Sequence, residues 1–205
     1  MRVILASTSP RRREILASLG TPFEVVAPDF EEQISTHLPI DHEVLQFAVG
    51  KAQSVASKNP GTIVIGSDTM IQIDGKKIGK PRNADDARRI LCALSGRTHT
   101  IYTSVAIIDG TGGAGLRRVE TVLVTMRDLA SGDIENYLAK GESLDKAGAY
   151  SIQGQGRGLI ARIEGDYLAA VGMPIKLIAE YLEERGLKLR VTHLSSTGAK
   201  QSIIF

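Results

Sequence analysis

Val3-Ile4-Leu5-Ala6-Ser7-Thr8-Ser9-Pro10-Arg11-Arg12-Arg13 is the stretch whose reading decides the fold. Four apolar residues in a row predict a strand covered on both faces. Ser9 suits the N-cap of a helix and Pro10 its first position, where a missing N–H costs nothing. Ile15, Leu16 and Leu19 then form a helical stripe that Gly20 ends. A buried strand running straight into a capped helix opens an α/β fold.

The pattern continues outward. Residues 23–27 read as a second strand, 28–39 as an acidic irregular loop and 41–57 as a helix with Val44, Leu45, Ala48, Ala52 and Val55 on one side. Ile63-Val64-Ile65 reads as a buried strand that leads into Gly66-Ser67-Asp68-Thr69, and Met70, Ile71 and Ile73 run extended to a turn at Asp74-Gly75. Asn83 caps a helix with Ala87, Ile90, Leu91 and Leu94 inside. Residues 98–109 and 118–126 read as long strands joined by a glycine-rich hairpin loop, so the sheet is not purely parallel. Ser131 is the expected cap of a helix reaching Lys140. Residues 159–163 and 167–171 read as short strands, and 174–185 as a helix closed by Gly186. The tail from Thr192 carries no strong pattern. The alternation predicts a mixed α/β fold.

The chain has 205 residues, enough to bury a sizeable core. Lys and Arg number 25 and Asp and Glu 23, so no polyanion-binding field exists and nucleic acid is not the expected partner. Five Tyr, four Phe and no Trp make a poor stacking surface for single strands. The single Cys92 excludes a disulfide framework and a cysteine zinc site, and inside a helix it reads as a small packing residue. His37, His42, His99 and His193 show no metal-ligand spacing, and His99 reads as structural. The longest apolar runs are too short for a signal sequence or membrane span, so a cytoplasmic protein with no membrane partner is expected.

Four polar clusters interrupt this pattern. Ser7 to Arg13 combines small hydroxyl residues, three arginines and a helix N-terminus, which suits phosphate; a capped, solvated helix reads the same way. No P-loop spacing occurs. Glu31-Glu32 lies in the acidic loop, where carboxylates suit a hard cation or simply face water. Asp68 follows an apolar strand, a good place for a metal or an activated water, with Lys80-Pro81 shortly after; an Asp in a turn reads the same way. Lys51, in a helix, has no distinguishing feature of its own. The stretch Asp145-Lys146-Ala147-Gly148-Ala149-Tyr150-Ser151-Ile152-Gln153-Gly154 suits a loop passing close to a ligand. Gly154, Gly156 and Gly158 do not make a dinucleotide fingerprint, because the spacing is wrong and no helix follows.

Taken in order, Leu5-Ala6-Ser7-Thr8-Ser9-Pro10-Arg11-Arg12, Gly66-Ser67-Asp68-Thr69, Lys80-Pro81, Leu94-Ser95-Gly96, residues 144–154, Gly165-Asp166-Tyr167 and Val171-Gly172-Met173-Pro174 resemble the Maf (septum-formation inhibitor-like) family of nucleoside triphosphate pyrophosphatases. The resemblance covers about residues 2 to 186 and departs at Met173, where the family usually has Leu. It implies a single domain over residues 1–191, with 192–205 as a tail of unassigned role. The implied fold is two-lobed around an elongated mixed sheet, similar to the inosine triphosphate pyrophosphatases, with the active cleft between the lobes. The implied reaction cleaves a nucleoside triphosphate between the α and β phosphates and uses a divalent cation, Mg²⁺ or Mn²⁺. Asp68 matches the family's general base and a metal position, and Glu32 the metal-holding acidic residue. Lys51 and Lys80 match the phosphate-binding lysines, and Ser7, Arg11 and Arg12 the triphosphate and base-proximal loop. Arg11, Thr69 and Gln153 resemble the branch acting on dTTP and UTP; a sister branch favouring 7-methylated GTP tends to carry an acidic residue where Gln153 stands. A homodimer stays open. A nucleotidyltransferase and a non-catalytic regulator of cell division are the competing readings; the first needs a second substrate and the second predicts binding without turnover.

Overall fold

The computed structural model describes residues 1–190. Its strands form one mixed sheet of seven in the order β2-β1-β3-β5-β6-β7, with β4 paired to β3. Strands β1 (Arg2–Ala6), β2 (Glu24–Val26) and β3 (Thr62–Ile73) pair in parallel, with Ile4 opposite Glu24 on one side and Val64 on the other. Strand β4 (Lys76–Ile78) is antiparallel to β3, and β7 (Ile160–Glu164) is antiparallel to β6 (Leu116–Met126). Strand β5 (Thr98–Asp109) lies between β3 and β6. Pairing on both sides and cover on both faces explain why Val3 to Ala6 are apolar without alternation.

The chain divides into two compact units, one made of residues 1–68, 103–119 and 172 onward, the other of residues 69–102 and 120–171. In the first, helix α1 (Pro10–Ala17) starts as expected: the Ser9 hydroxyl accepts from the Arg12 N–H. Helix α2 (Ile40–Ala56) lays Ala48, Ala52 and Val55 on Ile4, Ala6, Val64 and Ala106. That approach depends on Gly66. A Cβ there would stand 2.3 Å from the Ala48 carbonyl oxygen and 3.0 Å from the Ala52 Cβ, so no larger residue fits between strand and helix. Helix α6 (Ile175–Glu184) ends at Gly186, whose φ of 79° is open to glycine.

In the second unit, helix α3 (Ala84–Leu94) is capped by Asn83, whose side chain accepts from the Asp86 N–H. Arg88 pairs with Glu135 on helix α4 (Ser131–Leu138). Ser131 is the first residue of α4 rather than its cap. Ala130 precedes it, and the Asp133 carboxylate accepts from the Ala130 N–H at 3.0 Å. Residues 167–171 are not a strand but helix α5 (Tyr167–Val171). The five-residue run has no period of its own; Asp166 decides it by accepting from the N–H groups of Leu168 and Ala169 at 2.7 and 2.9 Å. Cys92 is exposed and does not pack, correcting the expectation above. The expected tail from Thr192 lies outside the described residues. No helix among the described residues is long and apolar enough to cross a membrane.

Candidate active site

Strand β3 does not stop at Ile65. It runs unbroken through Gly66-Ser67-Asp68-Thr69, so Asp68 sits within the strand rather than at its carboxyl end. Small polar residues imitate a turn in sequence, yet here they continue the strand. Asp68 is 6% exposed.

Lys51 meets it from α2. The helix buries Val44, Phe47, Ala48, Lys51, Ala52 and Val55, and Lys51 is only 7% exposed. Leu45, expected on that face, is half-buried instead. Because Gly66 lets α2 come close, the Lys51 ammonium reaches Asp68 Oδ1 at 2.5 Å. It also reaches Glu32 Oε1, in the acidic loop, at 2.5 Å. One ammonium thus bridges two carboxylates, a charge-assisted arrangement.

Arg12 completes the cluster. Its Nε donates to the Gly172 carbonyl oxygen at 3.0 Å, and the Ser67 hydroxyl donates to the same oxygen at 3.0 Å. Gly172 has a φ of 118°, a conformation that side chains disfavour, so glycine is required to aim this carbonyl. Burial pulls the Arg12 guanidinium down from its usual range, while Asp68 and Glu32 pull it back up. Burial pushes the Asp68 carboxyl up, and Lys51 and Arg12 oppose that. Ser7 is buried, and its hydroxyl accepts from the Ser9 N–H at 3.2 Å. Arg11 is half-buried one residue before Arg12.

The first unit therefore brings together Arg12, Glu32, Lys51 and Asp68, with Ser7 and Arg11 on the adjoining turn of chain. Thr69, Lys80 and Gln153 belong to the second unit. Lys80 is exposed after β4, and the carbonyl of its neighbour Gly79 accepts from the Gly148 N–H at 3.2 Å. Gln153 is half-buried. The Ser151 hydroxyl accepts from its N–H at 3.2 Å, and the Tyr137 hydroxyl accepts from the Ser151 N–H at 3.0 Å. The Gln153 side chain hydrogen-bonds Tyr167. Sequence reasoning assigned no role to Gly66, Ser67 or Gly172. The available signal was that Gly66 and Ser67 share a quoted motif with Asp68 and that Gly172 lies in another.

The donor set suits a hard divalent cation. Two carboxylate oxygens each lie 2.5 Å from the same Lys51 nitrogen, so they cannot be more than twice that apart. No group of three or more His, Cys, Asp or Glu side chains is placed to hold a metal among the described residues. Two carboxylates with the remaining positions left to water and phosphate are the usual arrangement for Mg²⁺.

The fold is similar to two solved structures. A HAM1 protein from Coxiella burnetii aligns over 90% of this chain and 99% of its own with a TM-score of 0.51 at 15% identity. The Staphylococcus aureus Ham1 protein aligns over 90% and 100% with a TM-score of 0.52 at 16% identity. In sequence, the chain is 46% identical to a dTTP/UTP pyrophosphatase of Moorella thermoacetica over 88% of this chain and 93% of that one. It is 44% identical to a dTTP/UTP pyrophosphatase of Dictyoglomus thermophilum over 91% and 97%. Residues 2–185 match the family described as Maf-like protein. That span carries every residue of the cluster around Asp68, and with this match and these relatives the chain belongs to the Maf-like family.

Proposed function

We infer that the protein hydrolyses nucleoside triphosphates, dTTP and UTP ahead of others, between the α and β phosphates, giving the monophosphate and pyrophosphate. The observation that carries this reading is the buried Asp68 carboxylate, gripped by Lys51 beside Glu32 and Arg12. The names of the relatives support the substrate.

In this reading Asp68 orients the attacking water and takes its proton. Burial raises the carboxyl toward the range where a base works well, which supports the role. A triphosphate brings about four negative charges near neutral pH, so cations must meet it before a carboxylate can act beside it. Lys51, Lys80, Arg11 and Arg12 are assigned to the phosphates, with the Ser7 hydroxyl beside them. Asp68 and Glu32 would hold Mg²⁺ or Mn²⁺. Such an ion would neutralise phosphate charge and make bound water more acidic.

Thr69 and Gln153, with Arg11 from the base-proximal loop, are assigned to base selection. Uracil and thymine present acceptor, donor and acceptor along one edge, and the Gln153 amide offers both a donor and an acceptor. Guanine presents two adjacent donors, which suit a carboxylate better. Gln153→Glu is therefore expected to lower kcat/KM for UTP more than for 7-methyl-GTP; an unchanged ratio removes Gln153 from base selection.

The test is product identity. UTP and Mg²⁺, without any acceptor, are expected to give UMP and pyrophosphate as first products. UDP and phosphate, or turnover only with a second substrate, would contradict the reading.

A further inference from the structure

Phe30 lies between Asp29 and Glu31 in the loop of residues 28–39, and it is 36% exposed. Its place is made by a glycine. Gly50 lies in α2, and a Cβ there would stand 2.2 Å from Phe30 Cε2 and 2.6 Å from Cδ2 and Cζ. The ring occupies the space where a side chain would be. Phe47, one turn earlier, meets the ring edge-on, with centroids 6.0 Å apart and planes at 61°.

The spacing on both segments is short. Glu32 follows Phe30 by two residues, and Lys51 follows Gly50 by one. Two residues of extended chain span at most about 7 Å. One stretch of helix thus receives the Phe30 ring and, at the next residue, the Glu32 carboxylate on Lys51 at 2.5 Å. Farther along the loop, the Ser35 N–H donates to the buried Glu43 carboxylate. The Glu32 side chain is 42% exposed, and ion pairs that open to water do little to order a loop. An aromatic ring laid on a helix backbone does more, because it removes apolar surface from water and cannot swivel without losing it.

We propose that the Phe30 ring seated on Gly50 is the positioning contact that holds Glu32 beside Lys51 and Asp68, and so sets the cation affinity of the site. The second half rests on the reading that Glu32 holds a cation.

Gly50→Ala and Phe30→Ala test it, with Glu32→Gln as reference. Mn²⁺ is titrated by calorimetry into protein saturated with a non-hydrolysable α,β-methylene analogue of UTP, and hydrogen exchange is read at residues 31–34 without metal. Alanine suits a helix interior better than glycine, and the atoms it displaces are the tip of one side chain, so Gly50→Ala is expected to melt no lower than the parent. Both single variants are expected to weaken Mn²⁺ by about tenfold, the scale for losing a residue that orients a metal ligand. Both are expected to speed exchange at residues 31–34, and the double variant to be no worse than either single one. If Glu32→Gln weakens Mn²⁺ while both variants match the parent, the anchor is overturned and the cation reading stands. If Glu32→Gln leaves Mn²⁺ binding unchanged, the cation reading fails, and exchange alone decides: faster exchange in both variants upholds the anchor, parental exchange overturns it.

Discussion

Asp68 on β3 and His99 on β5 are both buried titratable side chains on central strands, one in each unit, and the protein surrounds them in opposite ways. Asp68 sits among charges: Lys51 at 2.5 Å, with Glu32 and Arg12 nearby. His99 sits among neutral groups, with its Nε2 2.6 Å from the Tyr150 hydroxyl and the two rings edge to face at 5.5 Å. Burial alone holds His99 down to about 4, so it stays neutral at physiological pH. The Tyr150 hydroxyl is pushed well above its usual range, also by burial. A neutral pair of this kind fastens residues 147–150 to the sheet. A buried ion-pair network is different: apolar residues of similar volume would be as stable or more so. Stability therefore does not explain why Arg12, Lys51 and Asp68 are charged, whereas the proposed hydrolysis would.

Lys51→Met attacks that contrast most strongly. Removing the ammonium leaves Asp68 buried without its nearest partner, which is expected to cost about 3 kcal/mol in urea unfolding. In the proposed reading it also removes a cation that meets the phosphates, so kcat/KM for UTP is expected to fall by roughly 10²-fold. Adding Asp68→Leu should restore most of the stability and none of the activity. Recovery of both, or of neither, would mean that the cluster is a structural one like the His99 pair.

The next effect is pH dependence in the second unit. The folded His99 pKa lies below its unfolded value of 6.5, at about 4. The unfolded chain then binds the extra proton between these values, so stability rises with pH across that window. The contribution is complete above pH 6.5 and is lost as pH falls toward 4. A shift of this size amounts to about 3 kcal/mol over the full window, since one pKa unit is about 1.4 kcal/mol. Unfolding free energies measured from pH 7 to 4 should show this slope in the parent and a flatter one in His99→Gln. Equal slopes would place the acid sensitivity elsewhere.

The smallest change expected is Tyr150→Phe. Losing a buried hydrogen bond is expected to cost roughly 1–2 kcal/mol, and kcat should stay within about twofold because no charge is moved. A large fall in kcat with an unchanged melting curve would bring the His99 pair into the chemistry and erase the distinction.

Much of this was readable from the pattern alone. The β1–α1 opening, the spans of α2, α3 and α6, and the hairpin of β5 and β6 follow from caps, apolar periods and glycines. What the pattern missed lies where polar residues break it. Gly66-Ser67-Asp68-Thr69 resembles a turn because extended pairing is a non-local property that composition does not record. Residues 167–171 are short enough for helix and strand to look alike, and only the Asp166 cap decides. Lys51 carried a signal that was passed over: it stands three residues after Ala48 and four before Val55, on the apolar stripe itself. A lysine there must be buried and so must have partners. The meeting of Glu32 with Lys51 was legible only through family resemblance, since a loop carboxylate has no period to place it.

Hydrolysis by the cluster around Asp68 is the proposal most directly open to test. Asp68→Asn keeps the shape of the side chain and removes its basicity. Its kcat for UTP with Mg²⁺, measured as pyrophosphate release beside a melting curve, is the direct test. A loss of roughly 10²-fold or more is expected in a protein that still folds, because the new amide oxygen can accept from the Lys51 ammonium and Glu32 remains as its charged partner. Near-parental kcat in a protein that melts like the parent would contradict it.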